Sequence, residues 1–309
     1  MYEILIAGWE RALRGYLVPR LDPDEAAALP RLVGVADVGA SRANIDYLAN
    51  VIFNMARRLV SPRPRRVHLS ATLASDPRRV TFQLKFDRVV ELLRAGDGAI
   101  DDPAEQLRSR TIETTFHERH GGNLVLDDIG RPKVFQDHML YDWNIHHFHI
   151  VPGRGNELLF AYLTETDAYL IRIGSHGDFA NIAVLEELEV AWPDLLSKLK
   201  GLRLPKNPTA DEISVLRRSN IVYMVEVGGA IVAPHAFRAT DGTPSDVVTS
   251  QDRVMQWIRA HVLPWQARVE EALGGAPLGV EIGVVVDGCV PNPTTVRFAR
   301  GGQGVELIR

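Results

Sequence analysis

The chain has 309 residues, which is enough for about two domains, and its 46% hydrophobic and 24% charged residues are ordinary values for a globular protein. The net charge of -4 gives no overall attraction to nucleic acids or anionic membranes, so binding of that kind would need a local basic patch. A single cysteine, Cys289, excludes an internal disulfide and every zinc motif that is built from several cysteines.

No stretch reaches the roughly 20 apolar residues of a membrane-spanning helix. The N-terminus lacks the basic and long apolar regions of a signal peptide. We therefore expect a cytoplasmic protein without a membrane partner.

Residues 1–100 are predicted to form a mainly helical region. The clearest helix is 41–59, where Ser41 is a suitable N-cap, an apolar stripe follows, and Pro62 stops the helix. Residues 80–93 are either a strand that passes into a helix or one long helix. The acidic, glycine-containing stretch 96–103 predicts a domain boundary.

Residues 101–200 are predicted to form a histidine-rich domain around an antiparallel sheet. Strands are expected at 145–151, 157–164 and 168–174, because these runs are apolar and bounded by turn residues. The second and third strands are joined by a very short turn, so they should pair antiparallel. A helix is expected at 180–199.

Residues 201–309 are predicted to form an α+β C-terminal region, which makes the whole chain α+β. Gly228 and Gly229 indicate a hairpin. Residues 252–273 have helical spacing with an interruption at Pro264, and 279–290 and 294–307 are predicted as closing strands.

Seven of the ten histidines lie between positions 117 and 176, and histidine suits both proton transfer near neutral pH and metal binding. Side chains alternate between the faces of a strand, so His147 and His149 share one face. The other face carries His146, Phe148 and Ile150. The last two are natural core residues, so His146 is expected to be partly buried. His147 and His149 are expected to face a groove or solvent.

His176 follows the third strand in the sequence SHGDF, at a junction where a rigid scaffold leaves side chains accessible. Asp178, two residues later, has two open interpretations. It either orients His176 or caps the helix that follows.

The strands ELLFAYLT and DAYLIRIG, their short turn and the SHGDF junction resemble the end of RelE/ParE-type toxins, whose wider fold group includes barnase-like ribonucleases. In that family two antiparallel strands lead to a glycine–histidine–arginine junction near the catalytic groove. The resemblance covers residues 145–190. Gly177 stands where the family has its arginine, and Phe179 lies near the position of the family's tyrosine.

The resemblance implies a central sheet of RelE-like layout, metal-independent RNA cleavage without a cofactor, a toxin-like or defence-related role, and an inhibitory protein partner. Such cleavage needs a base, an acid and a cation near the developing phosphorane charge. The candidate catalytic residues are His147, His149, His176, Asp178, Arg172 and Arg154.

Two functions of other classes remain open. In one, the chain is a non-catalytic sensor or scaffold with structural histidines. In the other it is a metal-dependent hydrolase, with His147 and His149 joined by His176 or Asp178 as ligands of zinc or manganese. The HERH sequence at 117–120 spaces its histidines three apart, whereas a zincin requires four. We expect no bound metal.

A second candidate feature is a basic loop, which could grip an RNA backbone. The alternative is a solvated surface loop. Its arginines fall within ten residues around a proline-rich turn: Arg57, Arg58, Arg63, Arg65 and Arg66.

Overall fold

The computed structural model describes residues 1–20, 26–27, 29–33, 37–58, 60, 63–96, 119–120, 123–124, 137–150, 156–199, 201–235, 237, 245–287 and 290–308. Helices and sheets both occur, so the α+β class is confirmed. The helices are α1 Tyr2–Leu17, α2 Val38–Arg58, α3 Ala71–Ser75, α4 Arg78–Thr81, α5 Gln83–Ala95, α6 His138–Trp143, α7 Ala183–Ala191, α8 Ala210–Arg218 and α9 Ser245–Leu273. The strands are β1 Arg66–Leu69, β2 Arg119–His120, β3 Asn123–Leu124, β4 Ile145–His149, β5 Leu158–Leu163, β6 Asp167–Gly174, β7 Lys198–Leu199, β8 Val225–Val227, β9 Ala230–Val232, β10 Gly279–Asp287, β11 Val290–Arg300 and β12 Gln303–Ile308.

The chain divides into two compact units that are not consecutive along the sequence. The first unit takes the described residues within Met1–Arg57, Ile112–Gln136 and Asp246–Arg309. The second takes those within Arg58–Thr111 and Asp137–Ser245. From the sequence we predicted three consecutive regions. None of the described helices has the length and apolar character needed to cross a membrane.

The first unit packs α1, α2 and α9 with the antiparallel sheet β10–β11–β12. Gly301 and Gly302 form the turn between β11 and β12 with φ values of 53° and 84°, which glycine adopts without a steric cost. We expected Pro264 to interrupt the last helix, but α9 runs through it. Ile258 and Val269 lie on either side of the proline and are both fully buried, so tertiary packing holds both halves in place.

The second unit is built on a four-stranded sheet of order β1–β6–β5–β4. Strands β4, β5 and β6 pair antiparallel as neighbours, which confirms the antiparallel pairing expected for this part of the chain. Strand β1 is added parallel to β6, with Arg66 opposite Asp167. The prediction of a mainly helical region missed β1, because its partner lies about a hundred residues away and leaves no local pattern.

Each face of this sheet is covered by helices. One face packs Phe148, Leu159 and Leu170 with residues of α5 such as Phe86 and Leu93. The opposite face packs side chains of β4, β5 and β6 with α7 and with the small sheet β7–β9–β8. Its buried members include Ile145, Phe160, Ile171, Val184, Leu188 and Val225. The hairpin predicted at Gly228 and Gly229 is confirmed, since both have positive φ and join β8 to β9.

Of the range 180–199, which was predicted as one helix, only α7, Ala183–Ala191, is α-helical, and the range ends in strand β7, Lys198–Leu199. A 3-10 helix, His176–Ala180, follows β6, and α7 ends at Ala191. Trp192 leaves helical geometry with φ -148° and ψ 79°. Pro193 comes next, and a proline disfavours helical backbone in the residue before it, so the helix stops here.

Candidate active site

Three of the predicted histidines come together at one end of the sheet of the second unit. His147 and His149 lie on β4, and His149 pairs with Leu158, which in turn pairs with Gly174 at the end of β6. His176 stands two residues beyond Gly174. The ring centroids are 5.9 Å apart between His147 and His149, and 5.4 Å apart between His149 and His176. These three imidazoles form a continuous histidine row.

The row runs from the interior to the surface. His147 is fully buried, His149 is half-buried and His176 is exposed. The expectation that His147 faces a groove or solvent was therefore wrong. The Phe179 ring lies 4.9 Å from the His147 ring and closes this face of β4. His146, expected to be partly buried, is 8% exposed on the other face.

A carboxylate stands behind His147. Asp137 Oδ2 lies 3.2 Å from His147 Nδ1, and both side chains are wholly buried. Asp137 is also the N-cap of α6, where its Oδ1 accepts a hydrogen bond from the backbone N–H of Leu140. Sequence reasoning missed Asp137, although an aspartate before the run HMLYDW carries the signal of a helix cap.

His176 is oriented by an asparagine that the sequence analysis also missed. Asn156 Oδ1 lies 3.0 Å from His176 Nδ1 and 3.4 Å from the His176 backbone nitrogen. A backbone N–H can only donate, so Oδ1 is the acceptor in both contacts. Nδ1 therefore carries a hydrogen, and Nε2 is the nitrogen that takes up a proton.

Asp178 is a capping residue. Its Oδ2 accepts from the backbone N–H of Ser175 at 2.7 Å, while Ser175 Oγ accepts from Gly177 N at 3.2 Å. Of the two interpretations of Asp178, the described contacts are those of the cap. A Cβ atom on Gly174 would lie 2.6 Å from Asp178 Oδ2, so this junction depends on glycine.

Of the two candidate arginines, Arg154 lies outside the described residues. Arg172 shares a row with Phe160 and His147, but its Nε lies 3.9 Å from Glu187 Oε2 on α7. At this distance Arg172 forms an ion pair with that helix but no hydrogen bond through Nε, and the Phe160 position separates it from His147.

A different cation lies at this end of the sheet. Arg78 donates to the backbone carbonyl of Ile173 at 2.7 Å and pairs with Asp76 at the same distance. The hydrogen bond that Arg78 donates to Asp76 raises the pKa of Arg78, and the negative charges of Asp76, Asp178 and Glu157 raise it further. Arg78 is thus a cation near the His176 junction that the sequence pattern did not single out.

Three arginines of the predicted basic loop form ion pairs in the structure. Arg57 pairs with Asp246 at 2.9 Å, Arg63 with Glu165 at 3.3 Å and Arg66 with Asp167 at 2.8 Å. Arg65 was expected to be a surface residue of the loop, but it is 8% exposed and donates to the carbonyl of Thr164. The Arg58 side chain lies outside the described residues. Recognition of RNA by this loop stays a prediction.

Asp167 on β6 bonds to residues of β1, and these contacts predict how the stability of the fold depends on pH. It accepts hydrogen bonds from Arg66, His68 and Thr166, and these lower its pKa well below the ordinary value of 3.8. A lowered pKa in the folded state means stabilisation above the unfolded pKa that is lost as the pH falls toward the folded value. Wild type should therefore melt at a higher temperature than Asp167→Asn at neutral pH, with a gap that narrows below about pH 3.8.

Thermal unfolding followed by circular dichroism over a series of pH values measures this gap. Asp194→Asn is the matched control, because Asp194 is exposed. A gap between wild type and Asp167→Asn that stays constant as the pH falls would contradict the assignment.

The site has no metal-ligand cluster in the part of the chain that the structure describes, where no three His, Cys, Asp or Glu residues are grouped to hold an ion. What the arrangement offers is a pair of imidazoles, one half-buried and one exposed, and an arginine, Arg78, that is bonded to the backbone of Ile173, three residues before His176. Comparison of the chain with protein-family models, curated proteins and solved structures gives no match. The resemblance of residues 145–190 to RelE-like toxins therefore stays a prediction, and a function must be argued from the site itself.

Proposed function

We propose that this chain is a metal-independent endoribonuclease, toxin-like or defence-related, whose acid and base are His149 and His176. The observation that carries the proposal is the 5.4 Å separation of these two rings, which come from different elements. One ring is half-buried and the other is exposed. A pair of imidazoles at this spacing can give and accept protons on the two sides of one phosphodiester.

The proposed reaction is an internal transfer. The base removes the proton of the ribose 2′-hydroxyl, the 2′-oxygen bonds to phosphorus, and the bond from phosphorus to the 5′-oxygen breaks. The acid gives its proton to that leaving oxygen, so the products are a 2′,3′-cyclic phosphate and a 5′-hydroxyl. We assign His176 as the base, because Nδ1 donates to Asn156 and leaves Nε2 to accept the proton.

His149 is then the acid, and the buried groups behind it are positioning residues. His147 holds one side of the His149 ring and is itself held by Asp137. A buried carboxylate at hydrogen-bond distance fixes the orientation of an imidazole ring. Arg78 supplies the cation that the phosphorane requires, in place of the family's arginine.

A sensor or scaffold without catalysis is the second candidate, and specific contacts favour it. His147 is buried against Phe179, Asp178 caps a 3-10 helix, and Arg172 is directed at Glu187. Each of these candidate residues has a structural role. The two proposals assign different roles only to His149 and His176, so the decisive experiment must test whether these two side chains are catalytic.

The experiment is a cleavage assay of the purified chain on a single-stranded RNA oligonucleotide in the presence of EDTA. We expect cleavage, products that end in 2′,3′-cyclic phosphate, and no cleavage of the same sequence made of 2′-O-methyl RNA. The methylated strand lacks the attacking hydroxyl but keeps the charges of the phosphates. Loss of activity in EDTA, or products with 3′-hydroxyl ends, would support a metal-bound water instead. An inactive protein would favour the scaffold.

A further inference from the structure

The four-stranded sheet of the second unit carries a short row of rings at its outer strand. His68 on β1 stacks on Tyr169 on β6, with ring centroids 4.9 Å apart and only 16° between the ring planes. Trp192, which directly follows α7, meets Tyr169 edge-on at 5.0 Å. We call these three side chains the aromatic row. The proposed cleavage reaction uses none of them.

The outer end of the aromatic row is open. β1 is the outer strand of its sheet, and no further strand among the described residues pairs with its other side. Of the His68 side chain, 39% is exposed. Tyr169 covers one face of the imidazole and is the only ring among the described residues that His68 contacts. Because the two planes are nearly parallel and Tyr169 lies on the inner strand, the second face of His68 is turned toward the open side of β1.

The His68 ring is already fixed in this orientation. Its Nε2 lies 2.8 Å from Asp167 Oδ1. Arg66 donates to the other oxygen of the same carboxylate, also at 2.8 Å, so an arginine balances the negative charge beside the ring. A ring that is held in place before binding loses little conformational freedom when a ligand stacks on it. His68 therefore presents a preformed stacking surface.

The proposed RNA substrate contains groups that fit such a surface. Unpaired bases are bound in proteins largely by stacking on aromatic and histidine side chains, and every base has a flat face for this contact. Strand β6 leads from Tyr169 to Gly174, two residues before His176. Five residues of strand span about 17 Å, so a single strand of RNA that is cleaved at the histidine row reaches the aromatic row within a few nucleotides.

We propose that the outer face of His68 binds an unpaired base of single-stranded RNA, which extends the aromatic row by one ring. This inference rests on the proposed function for the identity of the ligand. The subsite accepts any base, because stacking uses the face that all bases share. It lies away from the reacting phosphate, so it contributes to the affinity for RNA and not to the chemical step.

The test measures binding of the full chain by fluorescence anisotropy. One ligand is a labelled 2′-O-methyl RNA oligonucleotide, which the proposed reaction cannot cleave, and the other is an abasic strand with the same length and phosphate charge. We expect the strand with bases to bind roughly fivefold or more tighter than the abasic strand. His68→Gln keeps a nitrogen donor for Asp167 but removes the ring, so this difference should disappear. His68→Phe keeps a ring but loses the bond to Asp167, so the difference should remain.

His235→Gln is the matched control, because it removes another exposed histidine of the same unit, and it should bind both strands as wild type does. Circular dichroism establishes that the variants are folded. Equal binding of the two strands by wild type, or equal affinities of wild type and His68→Gln for the strand with bases, would overturn the inference even if the chain cleaves RNA. Base-dependent binding that is lost in His68→Gln, by a chain that does not cleave RNA, would support the inference and overturn the proposed catalysis alone.

Discussion

The His176→Ala variant should cleave RNA roughly 10²–10⁴-fold more slowly than wild type, which is the usual loss when a positioned acid or base is removed. His149→Ala should lose activity to a similar degree, since the reaction needs both partners. His176 is exposed, so the variant should remain folded. The initial rate on a fluorescent RNA oligonucleotide measures the loss.

The control is His235→Ala, which removes another exposed histidine of the same unit. It should retain the wild-type rate. The wild-type rate should follow a bell-shaped pH profile, because the base must be neutral while the acid is protonated. Expression of wild type should also slow cell growth, whereas expression of His176→Ala should not. If wild type and His176→Ala act alike on RNA and in cells, the proposal that the histidine row is catalytic is wrong. The proposal of a non-catalytic scaffold is then favoured.

The position of the histidine row could be predicted to the extent that it depends on a single strand. Alternation placed His147 and His149 on one face of β4, and the structure has them there, with ring centroids 5.9 Å apart. The opposite burial of these two side chains could not be predicted. It depends on Phe179, which arrives from a 3-10 helix some thirty residues later, and on Asp137 from a helix cap.

The partners of the arginines in the basic loop could not be predicted from the sequence either. A run of arginines predicts positive charge, but it cannot show which carboxylates lie opposite. Arg66 meets Asp167 because β1 pairs with β6, and Arg65 is buried because a carbonyl from the β5–β6 turn accepts its hydrogen bond. Both partners are about a hundred residues away. The pairing of strands that are distant in sequence determines the surroundings of these arginines. This pairing cannot be predicted from the local spacing of residues.

A buried ion pair between Arg217 and Asp142 is expected to contribute strongly to the stability of the second unit. Arg217 on α8 donates from Nε to Asp142 Oδ2 at 2.9 Å, and the two side chains are 5% and 2% exposed. Tyr223 donates its hydroxyl to the same oxygen at 3.1 Å. Removing one partner of a buried ion pair leaves the other charge without compensation, which costs about 3–5 kcal/mol. Arg217→Ala should therefore lower the free energy of unfolding by about that amount.

Chemical denaturation measures this difference, and Arg218→Ala is the matched control one residue away. Arg218 is exposed and bonds only to the carbonyl of Ser214 in the described structure, so its removal should change the free energy of unfolding by less than about 0.5 kcal/mol. Equal stabilities of the two variants would contradict the role given to the buried pair.

The same pair links stability to the proposed site. Arg217 also donates to the backbone carbonyl of Phe179, within the 3-10 helix that carries His176. Loss of this bond frees the segment that closes over His147, so Arg217→Ala should cleave RNA more slowly even under conditions where it is fully folded. Tyr223→Phe removes one hydrogen bond to Asp142 but leaves the Phe179 contact intact. It should therefore lose about 1 kcal/mol of stability while keeping its cleavage rate, which separates the two consequences of the pair.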